Sequence, residues 1–198
     1  MMAKRSIWLC VAALLPLVLA LGCGELGKVD QGRVVAFDSA KGTVTLIQDK
    51  KAEPGKPDYN TLPPHTYQIP KDPDEMGPEP KAGLRMKLDL DKKVITIYDP
   101  ETKTFKDITF EIVEQKTGVG RDNPLVADKK LPAVDKDKKT LTIYSGRQKL
   151  YAVVTLPEEY LDRPASTWDA GDEVRIYFKE PGKALRLMNI SKTDIFKK

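Results

Sequence analysis

Short runs in which apolar and polar residues alternate recur along this chain, and they constrain its fold more than any other feature. Leu84, Met86, Leu88 and Leu90 alternate with Arg85, Lys87 and Asp89, and Val44 and Leu46 alternate with Thr43 and Thr45. Successive side chains of a strand point to opposite faces, so a period of two marks a strand with one buried face. Polar clusters separate the runs: Ser39-Ala40-Lys41-Gly42, Asp91-Lys92-Lys93 and Asp99-Pro100-Glu101-Thr102-Lys103. Strand-forming runs punctuated this way read as consecutive hairpins. The expectation is an all-β protein.

Residues 53–80 interrupt the pattern with eight of the 15 prolines. Proline removes a ladder donor and fixes φ, so this stretch reads as a stiff surface loop. Inside it, His65-Thr66-Tyr67-Gln68-Ile69 makes a short strand and residues 72–76 suit one helical turn. Long ordered loops in compact domains are often functional.

The second half echoes the first. Residues 131–144 align without gaps on residues 34–47, at an offset of 97. Ala36/Ala133, Asp38/Asp135, Lys41/Lys138, Thr43/Thr140 and Thr45/Thr142 are identical. Further on, Gln68-Ile69-Pro70 matches Thr155-Leu156-Pro157, and Gly83-Leu84-Arg85-Met86 matches Gly171-Asp172-Glu173-Val174. Correspondence that persists in order points to a divergent duplication. Each half then reads as three strands, a short helical turn and two strands. That order resembles the OB-fold, a five-stranded Greek-key barrel. The resemblance implies two tandem small β-barrel domains, 29–116 and 117–198, with one larger β-sandwich or barrel as the alternative. It also implies ligand binding near strands two and three, where Tyr67, Tyr144 and Tyr151 would lie.

The N-terminus carries a different signal. Lys4 and Arg5 precede an apolar run from Ile7 to Leu21, 15 residues long. A spanning helix needs about 20, so residues 1–22 read as a signal peptide. The run ends in Ala20-Leu21-Gly22-Cys23, which resembles the lipobox of bacterial lipoproteins. Gly22-Cys23 matches that pattern well, and Ala20 and Leu21 depart from its favoured residues. The resemblance implies that Cys23 becomes the first residue of the mature chain and is lipidated, with residues 23–28 as its tether. Several acyl chains anchor firmly where one binds only marginally. Ordinary cleavage after Gly22 is the bland alternative, and it leaves Cys23 a free thiol. Cys10 falls in the leader, so no internal disulfide is available. Gly24 stands where an Asp would imply retention in the inner membrane, so the expected location is the outer membrane, facing the periplasm.

From Cys23 onward the chain has 31 Lys and Arg against 29 acids. A net charge near +2 gives no footprint for nucleic acid. Catalytic constellations are missing. His65 is the single histidine, which excludes a multi-histidine zinc site. No G-x-S-x-G elbow accompanies it. Asp89/Asp91 and Asp135/Asp137 lie at hairpin turns and lack the spacing of an EF-hand. Glu158 and Glu159 are adjacent at a helix start, where acids suit the dipole. Met86, Met188 and Trp168 offer soft ligands for copper, but Met86 follows the apolar phase of its strand. Gly118-Val119-Gly120 lacks the strand–helix context of a phosphate loop. No catalytic residue, metal or cofactor is therefore expected. The chain is expected to belong to a bacterial lipoprotein family of unknown function. Its expected role is that of a non-enzymatic binding or scaffolding module with an envelope protein partner, or alternatively a periplasmic carrier of a small ligand or metal.

Overall fold

The computed structural model describes residues 26–53 and 56–193; Cys23 and the leader lie outside them. Twelve strands follow in order: β1 (Lys28–Asp38), β2 (Thr43–Gln48), β3 (His65–Gln68), β4 (Arg85–Asp89), β5 (Val94–Asp99), β6 (Thr104–Thr109), β7 (Ile112–Lys116), β8 (Ala133–Asp135), β9 (Thr140–Ser145), β10 (Leu150–Thr155), β11 (Glu173–Phe178) and β12 (Ala184–Asn189). Short 3-10 turns occupy Pro73–Glu75 and Glu158–Tyr160, and α1 is a single turn, Ala165–Trp168. The chain is all-β, as its alternation requires. Among the described residues no helix is long and apolar enough to cross a membrane.

The strands form three antiparallel sheets, and none closes into a barrel. Sheet I runs β12-β11-β1-β2-β3, sheet II runs β4-β5-β6, and sheet III runs β7-β10-β9-β8. Each half opens with three strands and a 3-10 turn, but the turn is followed by the three-stranded meander β4-β5-β6 and β7 in the first half and by the hairpin β11-β12 in the second. Their pairing also departs from the expected barrels. β11 of the second half ladders onto β1, from Lys28 opposite Phe178 to Arg33 opposite Glu173. β7 of the first half ladders onto β10. Strands assigned to 29–116 and to 117–198 therefore share two sheets. The reason is the length of β1: 11 residues offer one edge to β2 and the other to β11. β3, only four residues long and followed by Pro70, ends sheet I instead of closing it.

Hairpin turns explain much of the apparent repeat. Asp38, Asp89 and Asp135 each accept the backbone N–H of the lysine three residues on, at 2.9, 3.0 and 3.0 Å. The next residue takes positive φ: Gly42 (63°), Lys93 (55°) and Lys139 (52°). This is the Asx-type turn that short side-chain acceptors favour. Since Asp89 and Lys92 use it outside the aligned segments, the shared Asp and Lys reflect turn chemistry.

Sheets II and III face each other. Ile95, Ile97 and Ile108 pack against Leu141, Ile143, Ala152 and Val154, with Trp168 of α1 fully buried among them. On one face of sheet I, Val34, Leu46, Ile176 and Leu187 form a second core. The other face meets sheet II through Val35, Ile47, Met86 and Tyr98. The Pro-rich loop supplies two anchored pieces. Tyr59 is buried in that last cluster. Residues 75–78 lie along β12, where Gly77 N–H donates to Leu187 O at 2.8 Å and Glu75 pairs with Arg186.

Sheets I and II and the segment 166–172 meet near Val34. The β1–β2 register shifts between Val34 and Ala36, and Val34 bonds on the side away from β2. Its N–H donates to Asp172 O at 2.9 Å, and its carbonyl accepts from Gly83 N–H at 3.1 Å. Arg85 N–H donates to Asp169 O at 2.9 Å, and Leu84 N–H to Ser166 O at 3.0 Å. Three backbones approach so closely that a Cβ on Gly171 would lie 1.9 Å from Val34 O, and one on Gly83 would lie 2.5 Å from Asp169 O. Glycine is required there because the obstacles are backbone atoms. Gly171→Ala should therefore cost about 3 kcal/mol or more, the upper range for overpacking. Urea unfolding measures it; a loss below about 1 kcal/mol would show that the junction can relax.

Candidate functional site

The junction fixes two arginines side by side. Arg33 follows the strand into the bulge of β1, and Arg85 opens β4 beside it. Arg33 Nη1 donates to Arg85 O (3.0 Å) and Met86 O (2.7 Å). The Arg33 guanidinium stacks 4.3 Å above the Tyr59 ring, a favourable placement for a cation on a π face. Arg85 is only 9% exposed, and its Nε donates to Trp168 O at 2.8 Å. The buried indole thus fixes the carbonyl that aims the arginine. Among the described residues, neither guanidinium has a carboxylate in ion-pair contact, and Arg33 Nε is buried without an acceptor.

Burial pushes Arg85 down to about 10, and the charge of Arg33 adds to the effect while Asp169 opposes it. Burial lowers Arg33 as well. Both stay cationic at neutral pH. The Tyr59 hydroxyl is raised chiefly by burial and has no hydrogen-bond partner among the described residues.

Above the pair lies an open cleft of about 1120 Å³. Its walls are the 51–60 arch, β4, the β9–β10 turn and residues 169–173. Asp49 shapes the arch by accepting from the N–H groups of Lys51 (3.1 Å) and Asp58 (2.8 Å). Seven Lys and Arg side chains line the cleft against four acids. Three of those acids are engaged elsewhere. Asp169 pairs with Lys81 at 2.5 Å. Asp172 accepts from Lys81 N–H (2.8 Å) and Asn189 Nδ2 (2.9 Å). Glu173 accepts from Gln31 Nε2 at 2.6 Å, with Arg147 Nη2 at 3.4 Å. The charge offered to the cleft is positive.

The residues singled out from the sequence scatter. Tyr144 lines the cleft and donates to Val119 O at 3.1 Å. Tyr151 is buried in a small cluster with Val119 and Val126. Tyr67 is buried in sheet I and donates to Asp30 Oδ2 at 2.8 Å, beside His65 Nδ1 at 2.6 Å from the same oxygen. Burial and Asp30 raise the Tyr67 hydroxyl. Met86 and Trp168 fall in different cores, and Met188 stands on β12 opposite Arg175. Asp89 and Asp135 cap turns, and Glu158 pairs with Lys139. Among the described residues, no group of three His, Cys, Asp or Glu side chains could hold a metal ion.

Sequence reasoning missed Arg33 and Arg85. One signal could have marked them. The chain has eight arginines against 25 lysines, yet four arginines and only three lysines line the cleft. Arginine offers a planar fork of donors that lysine cannot supply.

The chain belongs to the family described as Domain of unknown function (DUF4881), whose model matches residues 25–198. No curated protein and no solved structure matches it.

Tyr59 should hold the arch closed. Stacking of this kind contributes about 1 kcal/mol, so Tyr59→Leu should speed tryptic cleavage after Lys51 about fivefold. Unchanged cleavage would show that the arch is secured without it.

Proposed function

We propose that this protein is a membrane-anchored cell-envelope lipoprotein that acts as a non-enzymatic binding module, with the three-sheet cleft as its binding site. The observation that carries the reading is the pair of half-buried Arg33 and buried Arg85, which opens on a roomy cleft and is neutralised by no carboxylate among the described residues. Concave sites with a few placed polar groups are the usual form of a ligand pocket.

The anchoring part of the proposal rests on the leader, Gly22-Cys23 and the short stretch that follows. β1 begins at Lys28, so four residues separate Cys23 from the folded part. Three acyl chains on Cys23 would keep the cleft near the membrane, on the periplasmic face of the outer membrane, within reach of an envelope protein partner. The size of the cleft favours the second reading, a periplasmic carrier of a small ligand. The shared opening of the two halves, three strands and a 3-10 turn, we read as a divergent duplication whose last hairpin, β11–β12, pairs with β1 of the first half.

Mass spectrometry of the N-terminal peptide from cells tests the anchor. The expected result is a triacylated Cys23 in the membrane fraction, with Cys23→Ala unacylated and released. A Cys23→Ala protein that stays membrane-bound and acylated would contradict the anchor. In-cell cross-linking tests the partner: one reproducible envelope protein favours the scaffolding role, and none favours the carrier.

A further inference from the structure

We infer that the floor of the cleft is a binding site for an oxyanion carrying two or more negative charges, gripped by Arg33 and Arg85. The inference rests on the binding-module reading and names the chemistry of its ligand. Each guanidinium has five N–H donors. Arg33 spends Nη1 on two carbonyls, and Arg85 spends Nε on one. Arg33 Nη2 and both Nη groups of Arg85 have no acceptor among the described residues, and both side chains line the cleft.

Two adjacent cations in a partly desolvated place repel each other and lose hydration. An arginine that served only to tie backbone together could have been accompanied by an acid. Here the nearby acids turn to other donors: Asp169 to Lys81, and Glu173 to Gln31 and Arg147. The unfilled donors point at a ligand oxygen. Phosphate and carboxylate groups both match the arginine fork bidentately. Charge multiplicity follows from the walls, where Lys51, Lys56 and Arg121 add three cations around the pair. None of Lys51, Lys56 and Arg121 has an ion-pair partner among the described residues. The cleft of about 1120 Å³ admits more than a bare phosphate. Tyr144 supplies an aromatic wall for the remainder of the molecule.

Calorimetric titration of the full-length protein in a neutral detergent tests the site. The probes are sodium pyrophosphate and sodium citrate, each against sodium chloride of matched ionic strength. Saturable binding of at least one is expected. Pyrophosphate alone points to a phosphate-bearing ligand, and citrate alone to a carboxylate-bearing one. Arg85→Gln keeps a donor for Trp168 O and should weaken binding at least tenfold, since a bond to a charged group is at stake. It should leave the urea midpoint of the free protein equal or higher, because it removes a buried charge. A tie that is purely structural would give the reverse: a lower midpoint and unchanged binding. Phenylglyoxal labelling needs no variant. Pyrophosphate or citrate, whichever binds, should slow labelling of Arg33 and Arg85 about tenfold and leave exposed Arg186 on β12 unaffected. No binding beyond the chloride control, or protection absent from Arg33 and Arg85, would overturn the inference. An acylated protein with a captured partner but no anion binding would leave the binding-module reading standing and remove only this one.

Discussion

The two backbone hydrogen bonds of Val34, one extending the β1–β11 ladder and one reaching the start of sheet II, are what the rest of the structure depends on. Alternation along β1 turns the Val34 N–H and carbonyl away from β2 and toward the β11 side, just before the register shift with β2. They are taken by Asp172 O and Gly83 N–H. Segments more than 80 residues apart on either side are thereby pinned to one point. Each bond contributes about 1 kcal/mol when made, and a buried group left unpaired costs about 1–3 kcal/mol. The alternative to forming the junction is therefore worse than merely losing two bonds. Gly83 and Gly171 are the sequence's answer to the crowding that results.

The same junction decides the electrostatics. Bringing residues 33, 85 and 169–173 together places two cations and several acids within a few ångströms of one another. The sheet register then sorts them. Gln31, opposite Arg175 in the β1–β11 ladder, hydrogen-bonds to both Arg175 and Glu173. Lys81, held by its own backbone bond to Asp172, takes up Asp169. What remains unneutralised is Arg33 and Arg85, at the bottom of a concave surface. Burial on a rigid floor makes those charges more consequential than the solvated lysines of the turns, whose ion pairs contribute little.

How much of this could be read in advance follows a physical division. Strands and turns depend on neighbours in sequence, so Leu84, Met86 and Leu88 announced β4, and Asp38 and Asp135 announced their hairpins. Sheet pairing depends on which edges meet, and nothing local in Gly32 or Val34 reveals a partner near residue 174. The bulge at Val34–Ala36 has no residue signature of its own. The tandem barrels failed for this reason: β1 recruits β11 across the halves, and β4 and β5 pair with β6 in a sheet of their own. Arg33 and Arg85 were invisible as site residues because each occupies a polar phase of its strand, where an exposed charge is the ordinary outcome. Burial by a distant element, the 51–60 arch with Tyr59 and the α1 turn with Trp168, is what changes their meaning. The aromatic residues that alternation did expose, Tyr67 and Tyr151, proved to be packed or hydrogen-bonded inside.

Native-state hydrogen exchange at single amides tests most directly whether one junction both unites the halves and builds the site. The amides of Val34, Gly83, Arg85 and Asp172 should exchange only through global unfolding, with the same free energy and denaturant dependence as Ile97 and Ile143 in the sheet II–sheet III core. If these four amides instead open at a lower free energy, with β11 and β12 leaving as a separate unit, the junction is a contact between independent parts and the account is wrong.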